Sequence, residues 1–426
     1  MSTRTRRTRA CMLVSALCAL IVLATAAAAS AATVYVSNSA PVVVNGKSCA
    51  QPGFKSVQAA LNAGPSQNVK ICPGTYEEQI EVLQPAKLEA TGGIGTAKLA
   101  MPSSPVDSKT SCDTKGGSQN IDEISICTPG TVSLKNLNVE AEVPLETCGG
   151  GLYGIFVGDG GTLKAQGDSI VGASTTLDSF KGCQHGVALE VGSASREEVG
   201  HASLKSVTVS GYEKNGPTVV FAGSTMTMKS STIVGEPSPF IAANGVEVAF
   251  GGKATIKSSS VSGNECNLAI CSESVAEQAS GVLFFEAAPG SGVSSSVVKE
   301  NDLGVYYASG SATEPTTPQV SISKDVLTSN RYEGVLLEEG KAALKSDTIN
   351  GTGRVGIDLF QTAGQASASE SSATGTKVEG QTEAAVKVES DKAAGDIPGK
   401  FTFSGGSFHG DGTVLINESN DFTVIF

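Results

Sequence analysis

Two arginines and two carboxylates recur at matched places late in the chain. Arg331 shortly precedes Gly334, Arg354 shortly precedes Gly356, and Glu338 and Asp358 follow the two glycines. The glycines are 22 residues apart. If they occupy equivalent positions in adjacent layers, Glu338 and Asp358 share an outward face. They then lie diagonally, roughly 8 Å apart, for a layer step of about 4.8 Å. That separation suits an inverting glycosidase. One carboxyl, its pKa raised by its neighbour, protonates the leaving oxygen while the other activates water. Arg331 and Arg354 would grip substrate carboxylates in bidentate pairs. The competing reading is a pair of surface carboxylates flanked by surface arginines. Residues 311–318 are expected to form a long loop beside this face.

A second constellation is cationic. The phrase apolar-Lys-Ser recurs at Leu204-Lys205-Ser206, Met228-Lys229-Ser230, Ile256-Lys257-Ser258 and Leu344-Lys345-Ser346, with Lys135 and Lys164 in related places. Such lysines are expected to form a broken ladder on one face. Lys205, Lys229 and Lys257 are candidate contacts to an acidic polymer, a uronic-acid glycan or a teichoic acid. The alternative is lysines that solvate an edge and deter aggregation.

Both constellations need a repeating scaffold. A Gly followed by alternating apolar residues begins at Gly154, Gly186, Gly216, Gly245, Gly281, Gly304, Gly334 and Gly356, at intervals of 32, 30, 29, 36, 23, 30 and 22 residues. Between these markers lie short period-2 segments bounded by Gly, Ser and Asn. One such repeat cannot bury its apolar face, but stacked repeats form a continuous column. A β-sandwich pair is the rival, and the shared Gly-Val register argues against it. Phe54, Val57 and Leu61 mark a short amphipathic helix suited to plug the open end. A strand Val69–Cys72, a turn Pro73–Tyr76 and a strand Gln79–Val82 are expected after it.

Composition sets the compartment. Arg4, Arg6, Arg7 and Arg9 precede an apolar run and the small-x-small site Ala29-Ser30-Ala31, so residues 1–31 read as a signal peptide. Its loss moves the formal charge from −12 to −16. Nucleic acid is thus not an expected partner, and no later apolar run is long enough to span a bilayer. A secreted or cell-surface protein is expected, attached to the cell if at all by other means. Eight cysteines remain after removal. If chain neighbours stay spatial neighbours, Cys49 pairs with Cys72, Cys112 with Cys127, Cys148 with Cys183, and Cys266 with Cys271. No Cys-x2-Cys pair occurs, so no metal site is expected, and no cofactor is implied.

The phrase Phe54-x-Ser56-Val57-Gln58-x-Ala60-Leu61, followed by Pro73-Gly74-x-Tyr76-x-Glu78, resembles the opening of right-handed parallel β-helix proteins. That group has the pectin lyase-like fold and includes pectin methylesterases, pectate lyases and polygalacturonases. With the repeats, the resemblance extends over most of residues 33–360. It implies an all-β, right-handed parallel β-helix solenoid with a short N-terminal cap helix, here of roughly nine to eleven coils. The expected division is a cap with first coils over 32–105, the helix proper over 106–360, and degenerate coils with closing strands over 361–426. The catalytic phrases of the pectin-active enzymes are not matched. His185-Gly186 lacks Asp partners, and only Arg196, Arg331 and Arg354 remain after signal removal. A structural or surface-interaction protein is therefore the first expectation. A uronate lyase or hydrolase and a noncatalytic acidic-glycan binder are the alternatives. A polysaccharide or cell-envelope polymer is the expected partner.

Overall fold

The Gly-Val strands, the Lys-Ser strands and the short strands closing each repeat form three separate sheets. The computed structural model describes residues 32–65, 67–107, 120–272, 278–309, 319–351, 353–361, 370–390, 398–419 and 422–426, all within the unit Ala32–Phe426. Sheet I holds 12 strands, from Ile80–Val82 to Thr413–Asn417. Sheet II holds 14, from Thr33–Val36 to Thr423–Ile425, and sheet III holds 12, from Gly74–Glu77 to Ser407–His409. The chain visits I, II and III in turn. Each strand pairs in parallel with its counterpart one coil on, as Glu333–Glu338 does with Val355–Gln361. The architecture is a right-handed parallel β-helix.

Twelve strands in each of two sheets exceed the nine to eleven coils expected. The extra coils lie at the ends, where the Gly-Val marker is lost but apolar alternation persists, as in Ala384–Ser390. Pro73–Tyr76 is also not a turn. Gly74–Glu77 opens sheet III, because Tyr76 enters the core and its hydroxyl reaches the carbonyls of Cys72 and Val36 at 2.9 and 3.1 Å.

The sequence markers sit at the corners. Where sheet III turns into sheet I, a Cβ on Gly356 would lie 2.4 Å from Val378 Cγ1 and 2.7 Å from the Ala385 carbonyl. Only glycine lets the coils approach so closely there. Where sheet II turns into sheet III, the serine of each Lys-Ser phrase adopts a left-handed conformation: φ is 53° at Ser206 and Ser230, 50° at Ser258 and 58° at Ser346. The next residue then caps its neighbour across coils. Ser231 N donates to Ser259 Oγ, Ser259 N to Ser296 Oγ, Ser296 N to Asp325 Oδ1 and Asp325 N to Asp347 Oδ1, at 2.7–3.2 Å. A parallel ladder of Asn264, Asn301 and Asn330 lines the corner between sheets III and I, its amides donating at 2.8 and 3.1 Å. Inside, Val, Ile and Leu from all three sheets form one continuous column. Its burial is the main stabilising term.

The ends are closed differently. The cap helix Val57–Leu61 buries Val57, Ala60 and Leu61. Ser56 caps its N-terminus, and the Glu78 carboxylate accepts from Val57 N at 2.6 Å and Gln58 N at 3.1 Å. The glutamate in the opening phrase therefore neutralises the helix end. At the other end Phe403, Phe408 and Phe426 cluster, with centroids 4.3–6.3 Å apart. The disulfides Cys49–Cys72, Cys148–Cys183 and Cys266–Cys271 form as expected. Cys112, the proposed partner of Cys127, lies outside the described residues, as do residues 311–318.

Candidate functional site

Alternation along a sheet I strand sends Val335 and Leu337 into the core and Leu336 and Glu338 outward. Stacking coils at parallel register lines up the outward residues. Tyr306 faces Leu336, Leu336 faces Asp358, and Asp358 faces Lys387. Farther along the same column stand Leu283, Glu247, Thr218 and Glu190. The outer face of sheet I is thus a row of polar and titratable groups with few apolar interruptions.

Glu338 and Asp358 hold the diagonal relation expected of them, since Glu338 pairs with Phe360 while Asp358 pairs with Leu336. Their settings differ. Glu338 accepts a hydrogen bond from the Tyr306 hydroxyl. Asp358 is 4% exposed. Burial, then the nearby Glu389 and Glu333, raises its pKa well above the carboxylate range. Glu333 was missed by the sequence reading because it stands just before the Gly marker. It too is buried, and burial lifts it to about 7 despite the Arg354 guanidinium 2.7 Å away.

Both arginines are held by carboxylates of the chain itself. Arg354 binds Glu333. Arg331 binds Asp302 at 2.8 Å and donates to Asn267 Oδ1 at 3.1 Å. Both guanidiniums lie over the Tyr332 ring, 4.9 and 4.8 Å from its centroid. Asp302 also caps the disulfide loop, accepting from Cys266 N at 2.9 Å. The loop closed by Cys266–Cys271 is therefore tied to the arginine stack.

Toward the middle of sheet I the row opens into a cleft of about 180 Å³, lined among others by Lys214, Asn244, Glu247, Gln278, Ser280 and Tyr306. Asn215 donates to Glu247 and accepts from Asn244 Nδ2 at 3.2 Å; Asn244 Oδ1 accepts from Ser280 N at 3.2 Å. Burial raises the Glu247 pKa, opposed by Lys214 and by both asparagines. Gln278 Oε1 and Ser280 Oγ are buried and have no hydrogen-bond partner among the described residues. No single motif marks this cleft, because its lining comes from several coils. Among the described residues no cluster of three or more His, Cys, Asp or Glu side chains is arranged to hold a metal ion, and no helix is long and apolar enough to cross a membrane.

The candidate lysines fall on another face. Lys205, Lys229 and Lys257 stand side by side on sheet II, away from the arginines and carboxylates of sheet I.

No protein family matches the chain, and no curated protein does. Solved structures do. A point mutant of the periplasmic alginate epimerase AlgG matches 88% of this chain and 84% of its own, at 9% identity and a TM-score of 0.50. A double mutant of that epimerase covers 88% and 82%, at 9% identity and a TM-score of 0.51. The A-module of the Azotobacter vinelandii mannuronan C-5 epimerase AlgE4 covers 86% and 94%, at 12% identity and a TM-score of 0.41. Identities this low speak to fold alone, and the fold that the two AlgG mutants share with this chain is the right-handed parallel β-helix.

Proposed function

We propose that this is an exported carbohydrate-binding solenoid that holds a segment of glycan against the outer face of sheet I. The observation that carries the reading is the cleft, with Gln278 Oε1 and Ser280 Oγ buried and without a hydrogen-bond partner among the described residues. Leaving such atoms unsatisfied costs about 1–3 kcal/mol each, which hydroxyl donors on a ligand recover. Tyr306 offers a ring for a sugar to pack on, and Glu247 and Asn244 offer polar contacts that fix its orientation. The acid-rich row favours a neutral or hydroxyl-rich glycan here over a polyuronate. Export agrees with the three disulfides seen among the described residues, since disulfides persist in oxidising compartments. The alginate epimerases that share the fold are consistent with a polysaccharide partner.

The test is binding of a panel of neutral and acidic oligosaccharides by titration calorimetry, comparing the parent protein with Tyr306→Ala and Ser280→Val. A neutral oligosaccharide that binds the parent and is weakened at least tenfold by either change supports the reading. Equal binding by all three proteins refutes it.

A second reading rests on the diagonal placement of Glu338 and Asp358 on adjacent coils. The Asp358 carboxyl, raised by burial and then by Glu389 and Glu333, is suited to donate a proton to a leaving oxygen, with Glu338 activating water. Arg331 and Arg354 serve this reading only by leaving Asp302 and Glu333 for substrate carboxylates. Any sugar-releasing activity of the parent should be lost in Glu338→Gln and in Asp358→Asn. Undiminished release removes the assignment.

A further inference from the structure

Sheet II presents a face of opposite character. Eight consecutive strands, from Thr131–Lys135 to Ala342–Lys345, contain no Asp or Glu. They carry Lys135, Lys164, Lys205, Lys229, Lys253, Lys257 and Lys345, in a chain whose formal charge is −12. Lys205, Lys229 and Lys257 are exposed and occupy one column on three successive coils, about 4.8 Å apart. Lys253 shares a strand with Lys257, and Lys164 stands diagonal to Lys205. None of these five has an ion-pair partner among the described residues. Ser203, Thr227 and Thr255 fill the exposed column between them.

The same column supplies its own control. Near the N-terminus it runs Lys70, Glu89, Lys135. There Glu89 binds Lys70 at 2.8 Å and Lys135 at 3.2 Å, and its carboxyl is pulled down to about 2. A lysine column that only serves the fold thus interposes a carboxylate. Three coils later none is interposed, although like charges directly opposite one another destabilise a sheet. Edge protection does not account for it, because these strands are interior to sheet II and both backbone edges are paired.

We propose that this stretch of sheet II is a docking surface for a linear acidic polysaccharide lying along the helix axis, with Lys205, Lys229 and Lys257 taking successive anionic groups and the hydroxyl column donating alongside. A polynucleotide fits less well. The outward positions of these strands hold no Phe, Tyr or Trp on which bases could stack, and the one ring there, His201, is held by Thr225 Oγ1 at 2.8 Å. The proposal goes beyond the sheet I cleft and does not rest on it.

The experiment measures retention of the mature protein on immobilised polygalacturonate across a sodium chloride series. Single-stranded DNA of matched charge and neutral dextran run in parallel. The parent should be retained at low salt and released as salt rises, with no retention on dextran. Lys229→Gln with Lys257→Gln should bind at least tenfold more weakly and with a shallower salt dependence. Lys47→Gln with Lys377→Gln, of equal charge change on other surfaces, should bind like the parent, and matching melting temperatures show that all variants fold. Tyr306→Ala should leave retention unchanged, so failure of this surface and failure of the sheet I cleft are separable. Equal weakening by both lysine pairs reduces the effect to net charge and overturns the proposal. So does the absence of salt-sensitive retention, or stronger binding to the DNA than to polygalacturonate.

Discussion

Removing the Arg354 side chain should weaken the fold in a way that depends steeply on pH above 7. Its guanidinium lies 2.7 Å from Glu333 Oε1 and stacks on Tyr332, while the Glu333 side chain is 3% exposed. Burial raises the Glu333 carboxyl from 4.5 to about 7. A folded pKa above the unfolded value means that the group's contribution is complete below about 4.5 and is lost as pH rises through 7. At pH 5 Glu333 is largely protonated in the folded parent. Arg354→Met then forfeits mainly the cation–π contact and one hydrogen bond, about 1 kcal/mol. Above pH 7 the parent carboxyl ionises against Arg354. In the variant it must stay protonated, because an unpaired buried carboxylate costs several kcal/mol. The unfolded chains ionise alike. The variant therefore loses a further ~1.4 kcal/mol for each pH unit above 7, giving a total of about 2.4 kcal/mol at pH 8 and about 3.8 at pH 9. Urea unfolding of the parent, Arg354→Met, Glu333→Gln and the double variant at pH 5, 8 and 9 measures this directly. A loss that stays constant from pH 5 to 9 refutes the reasoning. So does a pH dependence that survives in the Glu333→Gln background.

Two further outcomes concern the corner ladders. Asn301 is fully buried, donates to Asn330 Oδ1 and accepts from both nitrogens of Asn264, so Asn301→Ala should cost about 3 kcal/mol in urea unfolding; a loss under 1 kcal/mol would show that the ladder contributes little. Asp168 and Asp325 are raised to about 7 and Asp347 to about 6, chiefly by burial, so the melting temperature should fall as pH rises from 5 to 8, and Asp325→Asn should flatten that fall while keeping an oxygen for Ser296 N. A melting temperature that climbs over this range contradicts the sign.

The repeat itself was legible because each marker answers to one local demand. Glycine recurs where a Cβ would strike the next coil, as at Gly356. Serine follows lysine where a single left-handed residue turns the corner, as at Ser230. Alternating Val, Ile and Leu follow from the pleat, and Cys148 pairs with Cys183 because successive coils touch, while Cys266 and Cys271 close one short loop. Even the diagonal placement of Glu338 and Asp358 follows from the 22-residue interval once the fold is known.

Burial and partnership could not be read that way, because both depend on residues contributed by distant coils. The Asp358 carboxyl is pushed up by its burial, then by Glu389 on the following coil and Glu333 on the preceding one. Arg331 finds Asp302 and the disulfide loop at Cys266, tens of residues earlier in the chain. The cleft gathers Lys214, Glu247, Ser280 and Tyr306 from separate repeats. The lysines at 205, 229 and 257 are alike in sequence to Lys135, yet only the stacking register decides that Lys135 meets Glu89 and the other three meet one another. Local periodicity determined the coil, its corners and its core. Which charges are neutralised, and which are left facing solvent, was decided by the order in which the coils stack.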